Sequence, residues 1–125
     1  DEDLDVIGLV DDELEAAVQV FYVRKGRVVG RKGFILDKVE DLSPGRLIDR
    51  ILEEMYGDEP ALGIPSQVLV PVLPEDASTY TEWLTHLRGS SVQIRVPQRG
   101  DKRKLIELCE RNVEYYLKEK QYEKN

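Results

Sequence analysis

The chain has 125 residues, 41% apolar and 7% aromatic, with 18 Lys and Arg against 25 Asp and Glu for a net charge of -7. That length suits one domain with one core, and no apolar run approaches the roughly 18 residues of a membrane span. A single Cys excludes an internal disulfide or a Cys-based zinc site and points to a reducing compartment.

The acid is concentrated at one end. Residues 1–15 hold eight acids and no base, and the remaining 17 acids face 18 bases, so the net charge does not exclude an anionic partner for the rest. A chain that opens on Asp1-Glu2-Asp3, with neither Met nor a basic leader, is expected to be a cytoplasmic piece of a longer protein. Residues 1–5 read as an acidic linker end.

Val6 to Val10 is a short apolar run closed by Asp11-Asp12-Glu13, a buried strand and a turn. Ala16 to Arg24 is rich in β-branched and aromatic residues and reads as a second strand. Lys25-Gly26 makes the turn into a third, Arg27 to Leu36. Ser43-Pro44 supplies an N-cap and a first-turn proline for a helix with Leu47, Ile48, Ile51, Leu52, Met55 and Tyr56 on one face, closed by Gly57. Val68 to Val72 is a fourth strand interrupted by Pro71. Thr79 with Glu82 fits a capping box for a helix with Tyr80, Trp83, Leu84 and Leu87 inward, ending at Gly89. Val92, Ile94 and Val96 alternate as a fifth strand. The last helix runs from about Asp101, with Leu105, Ile106, Cys109, Val113, Tyr116 and Leu117 inward and a polar tail over residues 118–125.

The order β-β-β-α-β-α-β-α predicts an α/β fold: a mixed five-stranded sheet with right-handed crossovers and helices on its faces. That succession is the one found in ribonuclease H-like folds. No Gly-rich phosphate loop is present. His86 is the only histidine and reads as partly exposed surface, and Cys109 reads as a buried small hydrophobe. The Arg99-Gly100-Asp101 tripeptide is read as chance, and Asn112 as a satisfied polar group on the inward side of the last helix.

Three stretches together, Val18 to Gly30, Ile64 to Pro71, and Val96 to Leu105 with Asn112, resemble the middle region of the UvrC family, the nuclease subunits of the bacterial UvrABC excinuclease. The resemblance implies a region between an N-terminal GIY-YIG nuclease with its UvrB-binding segment and a C-terminal ribonuclease H-like nuclease with a helix-hairpin-helix module. It implies a single connecting domain over 1–125 in nucleotide excision repair of DNA, with the flanking nuclease domains as partners and UvrB and damaged DNA reached through the parent chain. It calls for no cofactor, no metal, no membrane and no catalytic residue in this fragment.

Ribonuclease H-type cleavage needs carboxylates converging on two metal ions. Asp11 or Asp12 would serve from the first strand, and Asp49, Glu53 or Glu54 from the first helix. Toward the end of the fourth strand stands Pro71, which offers no side-chain oxygen, and Glu75 and Asp76 follow another proline. Asp101 is trailed by Lys102, Arg103 and Lys104, which repel a cation. The best candidate segment for contact with nucleic acid or a neighbouring domain is therefore Arg99, Lys102, Arg103 and Lys104, with the hairpin cations Arg24, Lys25 and Arg27 second. An active two-metal nuclease using Asp11 and Glu53, and a protein-interaction adapter, are the alternatives.

Overall fold

The fold is that of a computed structural model describing residues 2–38 and 40–124. Asp1 and Asn125, the outer ends of the expected linker and helix tail, lie outside the described residues. The elements are β1 (Leu4–Asp11), β2 (Glu15–Arg24), β3 (Arg27–Asp37), α1 (Pro44–Tyr56), β4 (Gln67–Leu69), α2 (Ala77–Arg88), β5 (Gln93–Arg95) and α3 (Gly100–Lys124), in the predicted order. They build one mixed sheet of order β3-β2-β1-β4-β5. The first three strands pair antiparallel, and β4 lies parallel to both β1 and β5.

Local chemistry sets the turns. The Asp12 carboxylate accepts from the Leu14 and Glu15 amides at 2.8 Å and closes the β1–β2 turn. Lys25 and Gly26 both have positive φ, 53° and 76°, the two-residue turn whose twist matches the flanking strands. The Ser43 hydroxyl caps α1 through the Arg46 amide at 3.2 Å. Gly89 leaves α2 in the left-handed region, whereas Gly57 closes α1 without leaving the right-handed one.

The core has two layers, one on each face of the sheet. Ile7, Val18, Val20, Val68 and Val70 meet α1 and α2 through Ile48, Ile51, Leu52 and Leu84. On the other face Leu4, Val6, Phe21, Val23 and Leu69 meet Ile106 and Cys109 of α3, and Ala17 meets Val113 and Leu117.

Several expectations need correction. Strand β1 begins at Leu4, so Leu4 and Asp5 belong to the buried sheet and not to a linker. Strand β4 stops at Leu69 because Pro71 has no N–H for the ladder. Helix α2 starts at Ala77, which places Thr79 inside the helix and removes the capping box; Asp76 precedes it without a side-chain cap. Tyr116, Leu87 and Asn112 face solvent. On α3 the stripe 106-109-113-117 already fills the space over the sheet, and positions 112 and 116 fall to its side.

Candidate functional site

Two-metal hydrolysis needs hard oxygen donors converging beside the tips of β1 and β4. The pairs Leu4↔Gln67, Asp5↔Val68 and Val6↔Leu69 end where β4 ends, and Pro71 follows two residues on, in a bend. Strand alternation puts Gly8 on the α3 face with Val6. Neither Gly8 nor Pro71 supplies a side-chain oxygen. A Cβ at Gly8 would lie 2.4 Å from the Cys109 Cβ and 2.8 Å from the Glu110 amide nitrogen, so α3 fills the space where a side chain would stand. The neighbouring residues Ile7, Leu9, Val70 and Val72 are all in or against the apolar core of the opposite face.

The acids expected as ligands lie apart, each with its own surroundings. Asp11 pairs with Lys38 at 2.9 Å, and Asp12 closes its turn. Asp49 is buried on α1, where Arg46 reaches it at 3.4 Å while also binding Glu75 at 2.9 Å. Glu53 accepts from the Tyr80 hydroxyl, and Glu54 and Asp101 are exposed. Among the described residues no three His, Cys, Asp or Glu side chains come together as a metal site. The donor set does not fit a two-metal centre.

The buried carboxylate that carries most structure was not foreseen as such. Asp5 is fully buried, accepts from the Tyr56 hydroxyl at 2.5 Å and pairs with Arg24 at 2.8 Å. Burial holds its carboxyl above the ordinary range, with Tyr56 and Arg24 pulling the other way. Arg24 also donates to the carbonyls of Leu4, Val23, Leu62 and Gly63. Its guanidinium is thus committed to pinning the α1–β4 loop against β1, and it does not stand with the exposed cations of the hairpin. No spacing signal in the sequence pairs residue 5 with residues 24 and 56.

The two basic runs meet at one end of the sheet. The Glu2 carbonyl accepts from the Gly26 amide at 3.1 Å, and its carboxylate pairs with Lys102 at 3.1 Å. The hairpin tip and the start of α3 therefore share one acidic residue as their junction. Lys25, Arg27, Arg99 and Lys104 are exposed there, whereas Lys102 is engaged by Glu2 and Arg103 acts on the half-buried Glu110. The same end also carries the carboxylates of Glu2, Asp3 and Asp101, with Asp3 accepting from the Lys25 amide at 2.9 Å. Elsewhere, His86 is exposed on α2, and burial pushes the Cys109 thiol up to about 12, which leaves it an inert packing group.

The profile of the UvrC Ribonuclease H-like domain matches residues 3–120. UvrABC system protein C of Streptomyces coelicolor is 47% identical over 115 residues, covering 92% of this chain and 16% of that protein. Its counterpart from Renibacterium salmoninarum is 51% identical over 120 residues, 94% of this chain and 18% of that protein. The chain thus spans about a sixth of the length of these relatives. Human ENDOV aligns in structure with a TM-score of 0.40 and 14% identity, over 55% of this chain and 33% of that one.

Proposed function

Because the chain belongs to the UvrC ribonuclease H-like domain family, we propose that it is a non-catalytic connecting domain of a cytoplasmic excinuclease subunit acting in nucleotide excision repair and the SOS response. The whole of 1–125 is one spacer that holds flanking nuclease domains at a set distance and orientation. UvrB and damaged DNA are partners of the parent chain, and the domain itself contributes a contact to the DNA backbone. The observation that carries the reading is the tip of β1 and β4, where Gly8 and Pro71 supply no side-chain oxygen, Ile7, Leu9, Val70 and Val72 lie in or against the apolar core, and α3 occupies the volume above Gly8.

The DNA contact is placed at the basic end, on Arg99 and Lys104 with Lys25 and Arg27 beside them. Arg103 and Lys102 shape that surface, and Arg24 is excluded from it by its internal bonds. Phosphate contacts release counterions and give a log–log salt slope of about -0.9 per phosphate. Titrating duplex DNA with the 125-residue chain in Mg²⁺ is expected to give weak, salt-dependent binding with the strands recovered intact. The double variant Arg99→Ala, Lys104→Ala is expected to flatten the slope by about 2. Cut strands contradict the non-catalytic reading, and no binding at low salt leaves a protein adapter in its place.

A further inference from the structure

The sheet ends on β3, an 11-residue strand with only β2 beside it. From Gly30 to Asp37 its pairing with β2 is regular, the one irregularity lying next to Val28 and Val29. Every second residue of that stretch turns its N–H and C=O away from β2, and no loop or turn among the described residues bonds to them. Edge strands are normally shortened, covered, charged or interrupted by a bulge or proline; here the irregularity guards the end at Val28 and Val29 and Arg31 and Lys32 carry charge, while Gly30 to Asp37 is left regular and uncovered among the described residues. Neither cation has an ion pair among the described residues, although Lys32 lies over the Phe34 ring at 5.7 Å.

Beside this edge, on the α3 face, runs a groove of about 630 Å³. Arg31 and Gly33 line it from the sheet, and Tyr115, Tyr116 and the single acid Glu119 from α3. Tyr115 and Tyr116 are 68% and 52% exposed, and the Tyr115 hydroxyl is held by Glu119. Gly33 leaves the groove open: a Cβ there would meet nothing nearer than 3.6 Å.

We propose that the β3 edge is a docking site for an extended acidic segment of a protein partner, which adds as a sixth strand and drops one large apolar side chain over Gly33 between Tyr115 and Tyr116. Strand addition takes its affinity from main-chain bonds and its specificity from alternate side chains. A glycine within a sheet is a favoured seat for an aromatic cross-strand neighbour. Acids on the incoming strand would lie against Arg31 and Lys32 on opposite faces of the sheet, since successive side chains alternate. A second copy of this chain is a poor occupant, because two β3 edges would bring the same cations together. A nucleic acid would use the cations but neither the open main-chain groups nor the glycine seat. The proposal stands apart from the DNA contact at Arg99 and Lys104.

The test uses a short synthetic peptide with one central phenylalanine, glutamates placed on both faces of the strand and valine at the remaining positions, titrated into the ¹⁵N-labelled 125-residue chain. Saturable binding is expected, with shifts and slowed hydrogen exchange at the amides of Gly30 to Asp37. Arg31→Glu with Lys32→Glu, and separately Gly33→Val, are each expected to weaken binding at least tenfold. Valine suits a strand and has room at position 33, so an unchanged melting temperature shows that the fold is kept. The proposal is overturned by absence of peptide binding, by shifts that avoid β3, by equal affinity for the lysine version of the peptide, or by an oligothymidine that moves these amides when the peptide does not.

Discussion

Gly8→Ala is expected to cost about 2–3 kcal/mol of stability, and Gly8→Asp more, measured by urea unfolding. The alanine methyl would arrive 2.4 Å from the Cys109 Cβ and 2.8 Å from backbone atoms of residues 109 and 110, so relief requires α3 to move and not merely a side chain to rotate. That movement would loosen the contacts that Ile106 and Cys109 make with Leu4, Val6, Phe21 and Leu69. The aspartate adds an unpaired charge to the same overcrowded site. It is also the substitution that would restore an oxygen donor to this rung of β1. Wild-type stability in Gly8→Asp would mean that α3 yields easily and that the seat is open after all.

Asp5→Ala is expected to be as damaging, costing about 3–5 kcal/mol. It leaves the Tyr56 hydroxyl without its acceptor in the core and the largely buried Arg24 without its counter-charge. The α1–β4 loop, which Arg24 holds through the Leu62 and Gly63 carbonyls, is expected to lose protection first in hydrogen exchange. Asp5→Asn, which keeps an acceptor for Tyr56, is expected to cost less. The pH dependence has a definite sign. Burial raises the folded-state value of Asp5 above its ordinary 3.8, so the folded state keeps this proton at a pH where the unfolded chain has released it. The corresponding stability is fully present below about 3.8 and is lost as pH rises through the folded value. The gap between wild type and Asp5→Asn should therefore narrow from acid toward neutral pH; a gap that widens contradicts the assignment.

Both residues show where the sequence stops being legible. The order of elements follows from local periodicity, and Ser43-Pro44, Lys25-Gly26 and Gly89 mark their ends through short-range backbone chemistry. Pro71 was legible for the same reason, since a proline carries no side-chain oxygen whatever surrounds it. Gly8 was not, because only the passage of α3 a hundred residues later gives its missing side chain a meaning. Asp5 looked like part of an acidic terminus because its partners are Arg24 and Tyr56, at distances along the chain that no periodicity connects. The two basic runs were visible separately, and their junction at Glu2 was not. Asn112 and Tyr116 were misplaced because the inward face of the last helix was drawn wide enough to include them, when its buried stripe is 106-109-113-117.

The most direct measurement is a Mn²⁺ titration of the ¹⁵N-labelled chain, following paramagnetic broadening of each amide. Neither Gly8 nor Pro71 supplies a side-chain oxygen there, so the account predicts no saturable broadening centred on the amides of Ile7 to Leu9, Val70 and Val72. Saturable broadening focused on those amides and abolished by EDTA would show that carboxylates converge on a metal there, and would contradict the reading of this domain as a framework without a reactive centre.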